Sequence, residues 1–146
     1  MFRGNHPARV DEKGRLKIPA AYKGRVDEIY GNEFFITSVD GKRAQIYPLK
    51  EWEKKEADLE KMPNSHPAKM LFLDRTSYYG ASARMDEQGR LLIPQILRDS
   101  AKATGDVVVL GKQRILEVVN HDDFKAEMDK APLTPEMLAA LAEYGL

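Results

Sequence analysis

Apolar residues in the first fifty positions come in short runs separated by turn formers. Ala8–Val10 and Leu16–Ile18 read as brief strands on either side of Asp11-Glu12-Lys13-Gly14. Gly14 supplies the left-handed backbone that such a tight connection needs. Pro19 suits the first turn of a helix, where its missing N–H has no partner to lose, and the pattern predicts a short helix over Ala20–Lys23 ending near Gly24. Phe34–Val39 and Ala44–Tyr47, rich in β-branched and aromatic residues, flank Asp40-Gly41 as a hairpin. Leu49–Lys61 is predicted helical, with Trp52, Ala57 and Leu59 on a partly apolar side, and Met62-Pro63-Asn64-Ser65 breaks it. A further helix over about His66–Asp74 carries Met70, Leu71 and Leu73.

The same plan then returns. Arg9-Val10-Asp11-Glu12-Lys13-Gly14-Arg15-Leu16-Lys17-Ile18-Pro19 reappears 75 residues later as Arg84-Met85-Asp86-Glu87-Gln88-Gly89-Arg90-Leu91-Leu92-Ile93-Pro94. More weakly, Gly31–Ile36 matches Thr104–Val109, and Gln45-Ile46-Tyr47 with Trp52 matches Glu117-Val118-Val119 with Phe124. Tyr78–Met85, Leu91–Ile93, Pro94–Ala103, Val107–Leu110 and Arg114–Val119 repeat the order of strands and helix. Residues 122–130 are predicted helical, and Thr134-Pro135-Glu136 reads as the capped start of a last helix bearing Met137, Leu138 and Leu141. The division expected is a first repeat at 1–52, a helical linker at 53–76, a second repeat at 77–124 and a C-terminal helical segment at 125–146. One copy is too small to close a core. Two copies around a pseudo-two-fold axis solve that problem, so the expectation is one intertwined α+β barrel rather than two beads.

Composition narrows the class. An apolar content of 42% supports a core, and the absence of cysteine excludes disulfides and thiolate metal sites. No apolar run nears the roughly 20 residues that span a bilayer, and Met1–Val10 lacks the apolar centre of a signal peptide. The expectation is a cytoplasmic protein with no membrane partner. Lys plus Arg equal Asp plus Glu at 23 each, yet the charges are segregated. Residues 1–25 hold seven cations against two carboxylates, a net of +5, while residues 117–146 hold two against seven, a net of −5. An anion-binding N-terminal face follows as an expectation.

The duplicated Asp-x-x-x-Arg followed by an aliphatic-x-Ile-Pro segment resembles the AbrB/SpoVT motif of transition-state regulators and antitoxins. The tandem arrangement is more specific, as are Met1-Phe2-Arg3-Gly4, Ile46-Tyr47-Pro48 before Glu51-Trp52, and Gly80-Ala81-Ser82 before Met85-Asp86. Together these resemble the MraZ family over nearly the whole chain. The resemblance implies an AbrB-like swapped-hairpin β-barrel with flanking helices and a transcriptional regulator acting near the promoter of the division and cell-wall gene cluster. It also implies a closed homo-oligomeric ring, nucleoid association and recognition of double-stranded DNA carrying short direct repeats. Two positions depart from the pattern. Val119 stands where the family usually has Trp, and Gln88 stands where the first copy has Lys13.

On that reading, Arg15 is the main reader, because a guanidinium pairs bidentately with phosphate or with guanine O6 and N7. Lys13 and Gly14 form the tip, while Lys17, Arg3 and Arg9 are phosphate contacts and Arg90 is the second-copy counterpart of Arg15. Arg90 is expected to contribute less, since residues 84–98 net only +1. Asp11 and Asp86 are expected to be structural partners that orient the two arginines. Trp52, Tyr47 and Phe34 read as core. His6, His66 and His121 lack metal-ligand spacing, so surface or capping roles are expected, with no metal and no cofactor. No nucleophile elbow, P-loop, zinc-protease or dinucleotide fingerprint is present, so catalysis is not expected. The alternative is an antitoxin-like or scaffold interaction protein without sequence-specific DNA reading.

Overall fold

The computed structural model describes residues 1–146. Eight strands form a single antiparallel sheet in the order β5-β3-β4-β8-β7-β1-β2-β6, which curls into a nearly closed barrel. In the first repeat these are β1 (Asn5–Val10), β2 (Arg15–Lys17), β3 (Glu33–Thr37) and β4 (Ala44–Pro48), with helix α1 (Ala20–Ile29) between β2 and β3. Helices α2 (Leu49–Glu60) and α3 (Pro67–Tyr78) link the repeats. The second repeat supplies β5 (Ala81–Arg84), β6 (Arg90–Leu92), α4 (Gln95–Ala101), β7 (Gly105–Lys112) and β8 (Ile115–Val119), followed by α5 (His121–Lys130) and α6 (Pro135–Ala142).

The pairing is exchanged between the repeats. β1 pairs with β7 over six residues, and its counterpart β5 pairs with β3 over four. β2 pairs with β6 and β4 with β8, each strand facing its own copy across the pseudo-axis. Neither repeat holds a complete sheet by itself, so the expected intertwined α+β swapped-hairpin barrel is what forms. Its core is a single cluster drawn from both copies, with Leu16, Ile18, Val26, Ile36 and Ile46 of the first packed with Leu91, Ile93, Leu97, Val109 and Val118 of the second. Trp52 and Tyr47 are also buried, Trp52 stacking on Phe35 with centroids 4.6 Å apart.

Among the elements that run further than the pattern predicts, three do so because of a partner invisible in local sequence. Helix α1 continues through Gly24 to Ile29 because Tyr22 and Val26, one turn apart, both reach the core. That burial outweighs the roughly 1 kcal/mol cost of a mid-helix glycine. Gly31, at φ +80, closes the helix by donating from its N–H to the Val26 carbonyl. β1 starts at Asn5 rather than Ala8 because β7 pairs along its whole length. Helix α3 reaches Tyr78, so the second repeat's first strand begins only at Ala81; the Thr37 hydroxyl donates to the Thr76 carbonyl at 2.7 Å and ties the helix end to β3. Thr134 and His66 cap α6 and α3, their side chains accepting from Met137 N and Ala68 N.

Candidate nucleic-acid interface

The two copies of Asp-x-x-x-Arg fold into near-identical turns. Asp11 Oδ1 accepts from the backbone N–H groups of Lys13 (3.0 Å) and Arg15 (2.9 Å), and Oδ2 accepts from Arg15 Nε at 2.9 Å. Asp86 does the same for Gln88 N, Arg90 N and Arg90 Nε, each at 2.9 Å. Gly14 and Gly89, at φ +85 and +75, make the left-handed corner and donate to the carbonyls of Asp11 and Asp86. Each carboxylate thus closes its turn and fixes one edge of its arginine. The guanidinium groups keep both terminal amino groups free of protein partners.

The backbone N–H of Arg15, first among its partners, holds the Asp11 carboxyl below its ordinary value, and Arg90 N does so for Asp86. A depressed carboxyl pKa contributes structure that is complete above the unfolded value of about 4 and is lost as pH falls through the folded value below it. The turns are therefore expected to hold their arginines unchanged from neutral pH down to about pH 5. Carboxyl NMR titration of Asp11 and Asp86 checks this, and midpoints at or above about 4 would contradict it.

Between the turns lies the β2–β6 ribbon, three residue pairs or about 10 Å long. Alternation sends Leu16 and Leu91 inward, fully buried, and Arg15, Lys17, Arg90 and Leu92 outward. Register sets Arg15 opposite Leu92 and Lys17 opposite Arg90. Like charges facing each other across a ladder lower stability, and Lys17 has no carboxylate partner. Reciprocal hydrogen bonds, Ile18 N to Gly89 O and Ile93 N to Gly14 O, fasten each turn to the far end of the other copy's strand. The result is a basic ridge on the outer wall, with a glycine corner at either end.

The ridge gathers Lys13, Arg15, Lys17 and Arg90 from the residues singled out in the sequence, while Gly14, expected at the tip, is buried beneath the Arg98 side chain. The Arg15 side chain is 31% exposed on the outer wall. Arg9, at the end of β1 near the first turn, is exposed and paired with Asp106 at 3.2 Å; its counterpart Arg84 pairs with Glu33 at 3.1 Å. Arg3 stands apart. It precedes the six residues of β1, about 20 Å of strand, and lies at the end remote from the turn. The register also places Lys17 beside Arg90, so the second copy's face is more basic than its own stretch of sequence indicates.

Two cations that the sequence reading passed over complete the ridge. Arg98 of α4 lies across Gly14, and Lys23 of α1 lies across Gly89, its Cε 3.0 Å from where a β-carbon would stand. Both sit four residues after the Ile-Pro proline of their copy, a spacing that could have drawn attention to them.

The family model described as "MraZ protein, putative antitoxin-like" matches residues 1–75 and 80–136. The chain belongs to the MraZ family. It is 64% identical to a protein of Acidobacterium capsulatum named transcriptional regulator MraZ, over the full length of both chains. It is 43% identical to the protein of that name from Koribacter versatilis, again end to end. With the Coxiella burnetii protein of the same name it shares 33% identity over 81% of this chain and 78% of the other. In this MraZ-family chain the two turns, the ribbon between them and the cations laid on their glycines form one contiguous outer surface. No helix is long and apolar enough to cross a membrane.

Proposed function

We propose that the protein is a sequence-specific, double-stranded-DNA-binding transcriptional regulator and that the β2–β6 ridge is its DNA face. The observation that carries the reading is the paired arginine geometry. Asp11 and Asp86 hold Arg15 and Arg90 on the outer wall by Nε while leaving their terminal amino groups unbonded. An end-on guanidinium fork fits guanine O6 and N7, and a two-stranded ribbon fits a major groove about 12 Å wide. Lys13, Lys17 and Arg9 then supply phosphate contacts. The relatives' shared name supports regulation, and the family resemblance supports short direct repeats near the promoter of the division and cell-wall cluster as the target.

A closed homo-oligomeric ring belongs to the same proposal. Met70 and Leu71 on α3 are more than half exposed, and so are Leu133 before α6 and Met137 and Leu138 on it. Helix α6 buries none of its residues within its own chain. Apolar surface of this kind marks a contact with another molecule, and here a neighbouring copy is the proposed occupant. Linking modules on adjacent DNA boxes raises avidity by roughly 10²–10⁴, which gives repeated boxes a physical use.

Titrating the full chain against its own upstream duplex and a random duplex, at two salt concentrations, tests the reading. Preference for the upstream duplex, with affinity falling steeply as salt rises, is expected. Sedimentation of the same samples should give a mass of several chains, with and without DNA. Equal affinity for the two duplexes would leave the scaffold alternative standing.

A further inference from the structure

The first turn carries a cation that comes from the other repeat and has no partner in the protein. Arg98 stands on α4 of the second copy, yet its guanidinium rests on Gly14 of the first. A β-carbon at Gly14 would overlap that group. Arg98 is half-buried, and its guanidinium forms neither a hydrogen bond nor an ion pair. The open groove beside it also holds Asp11, Glu12 and Asp99, together with Arg9. None of these carboxylates approaches the guanidinium within ion-pair distance: Asp11 is committed to Lys13 N and to Arg15, and Arg9 to Asp106. The pseudo-symmetric site differs. Lys23, lying on Gly89, is neutralised by Asp27 at 3.0 Å on its own helix.

Arg98 pairs with no protein group and its guanidinium is not sealed from water, so its N–H donors stay available to an anion, which would exchange hydration for charge-assisted hydrogen bonds. The glycine beneath it is buried, and its missing side chain is what gives the guanidinium room against the turn. We infer that Arg98 clamps a DNA backbone phosphate at the first turn, beside Arg15, so that this contact unit is built from the hairpin of one repeat and the helix of the other. The inference rests on the DNA-binding reading above and deepens it. It makes the first turn, with Lys13, Arg15 and Arg98, the stronger of the two. The second turn has Gln88 at the tip and an already neutralised Lys23.

The test is fluorescence anisotropy of the full chain with its upstream duplex and with a random duplex of equal length, across a salt series. Arg98→Gln is expected to weaken both duplexes about equally, by roughly tenfold, because a phosphate contact carries no sequence information. The slope of log affinity against log salt should shrink by about 0.9 for each chain engaged. Arg98→Lys, which keeps the charge, should retain the wild-type slope; Arg98→Ala, which removes it, should show the same loss as Arg98→Gln and takes its place if the glutamine variant folds poorly. Wild-type affinity and slope in Arg98→Gln, with the wild type still preferring its upstream duplex, would overturn the inference alone. So would loss confined to the upstream duplex. A wild type without preference would overturn the DNA-binding reading instead.

Discussion

Replacing Arg15 by alanine is expected to lower affinity for the upstream duplex by at least about tenfold per module and to flatten its preference over random DNA. One bidentate arginine–guanine pair discriminates by roughly 1–3 kcal/mol, and linkage of several modules multiplies the effect. Two features of the site make this loss specific. The Asp11 carboxylate already holds Arg15 Nε, so the terminal amino groups are preorganised, and the turn itself is closed by backbone bonds that the substitution leaves intact. Arg15→Lys separates charge from geometry. It should retain binding to random DNA, because the charge persists, and lose preference, because an ammonium has no planar fork. Arg90→Ala should cost less than Arg15→Ala, since Lys13 and the unpaired Arg98 reinforce only the first turn. Unchanged preference in the Arg15→Ala protein would remove this residue as the reader, and equal losses in the two alanine variants would remove the ranking.

Much of this was legible in the sequence because its determinants are local. Asp11 to Arg15 and Asp86 to Arg90 are turn chemistry, written within five residues each, and the 75-residue repeat announced the pseudo-symmetry. The alternation that sends Leu16 inward and Arg15 and Lys17 outward is also local. What stayed hidden depends on pairing between distant segments. The extension of β1 to Asn5 requires β7, about a hundred positions away. The burial of Val26 that carries α1 through Gly24 requires the shared core. Lys17 stands beside Arg90 only because β2 and β6 pair antiparallel in one register, so summing charge along residues 84–98 understates the basicity of that face. Arg98 is the clearest case. Its role depends on the place where a helix of one copy crosses a glycine of the other, and the only trace in the sequence is the matched basic position after each Ile-Pro.

The same cross-pairing dictates how the molecule should fail. Leu16 and Leu91 face each other across the β2–β6 ladder, both fully buried, at the point where the two copies meet. Truncating either to alanine removes buried volume from a cluster that both repeats share, and each substitution is expected to cost about 2–5 kcal/mol. That is a large share of the roughly 5–15 kcal/mol that stabilises an ordinary domain. Because the two side chains are neighbours, the double variant should depart from additivity by about 0.5–3 kcal/mol. Chemical denaturation at one fixed protein concentration, which holds any contribution of subunit association constant, measures all three. Unfolding should remain a single transition in every variant. β1 cannot leave without stripping β7, and β5 cannot leave without stripping β3, so neither repeat has a folded state to fall back on. Two separated transitions, or a loss below about 1 kcal/mol from Leu16→Ala, would mean that the copies hold independent cores. The ridge would then lose its physical basis, because Arg15, Lys17, Arg90 and Arg98 lie on one surface only while the two hairpins remain locked through Leu16 and Leu91.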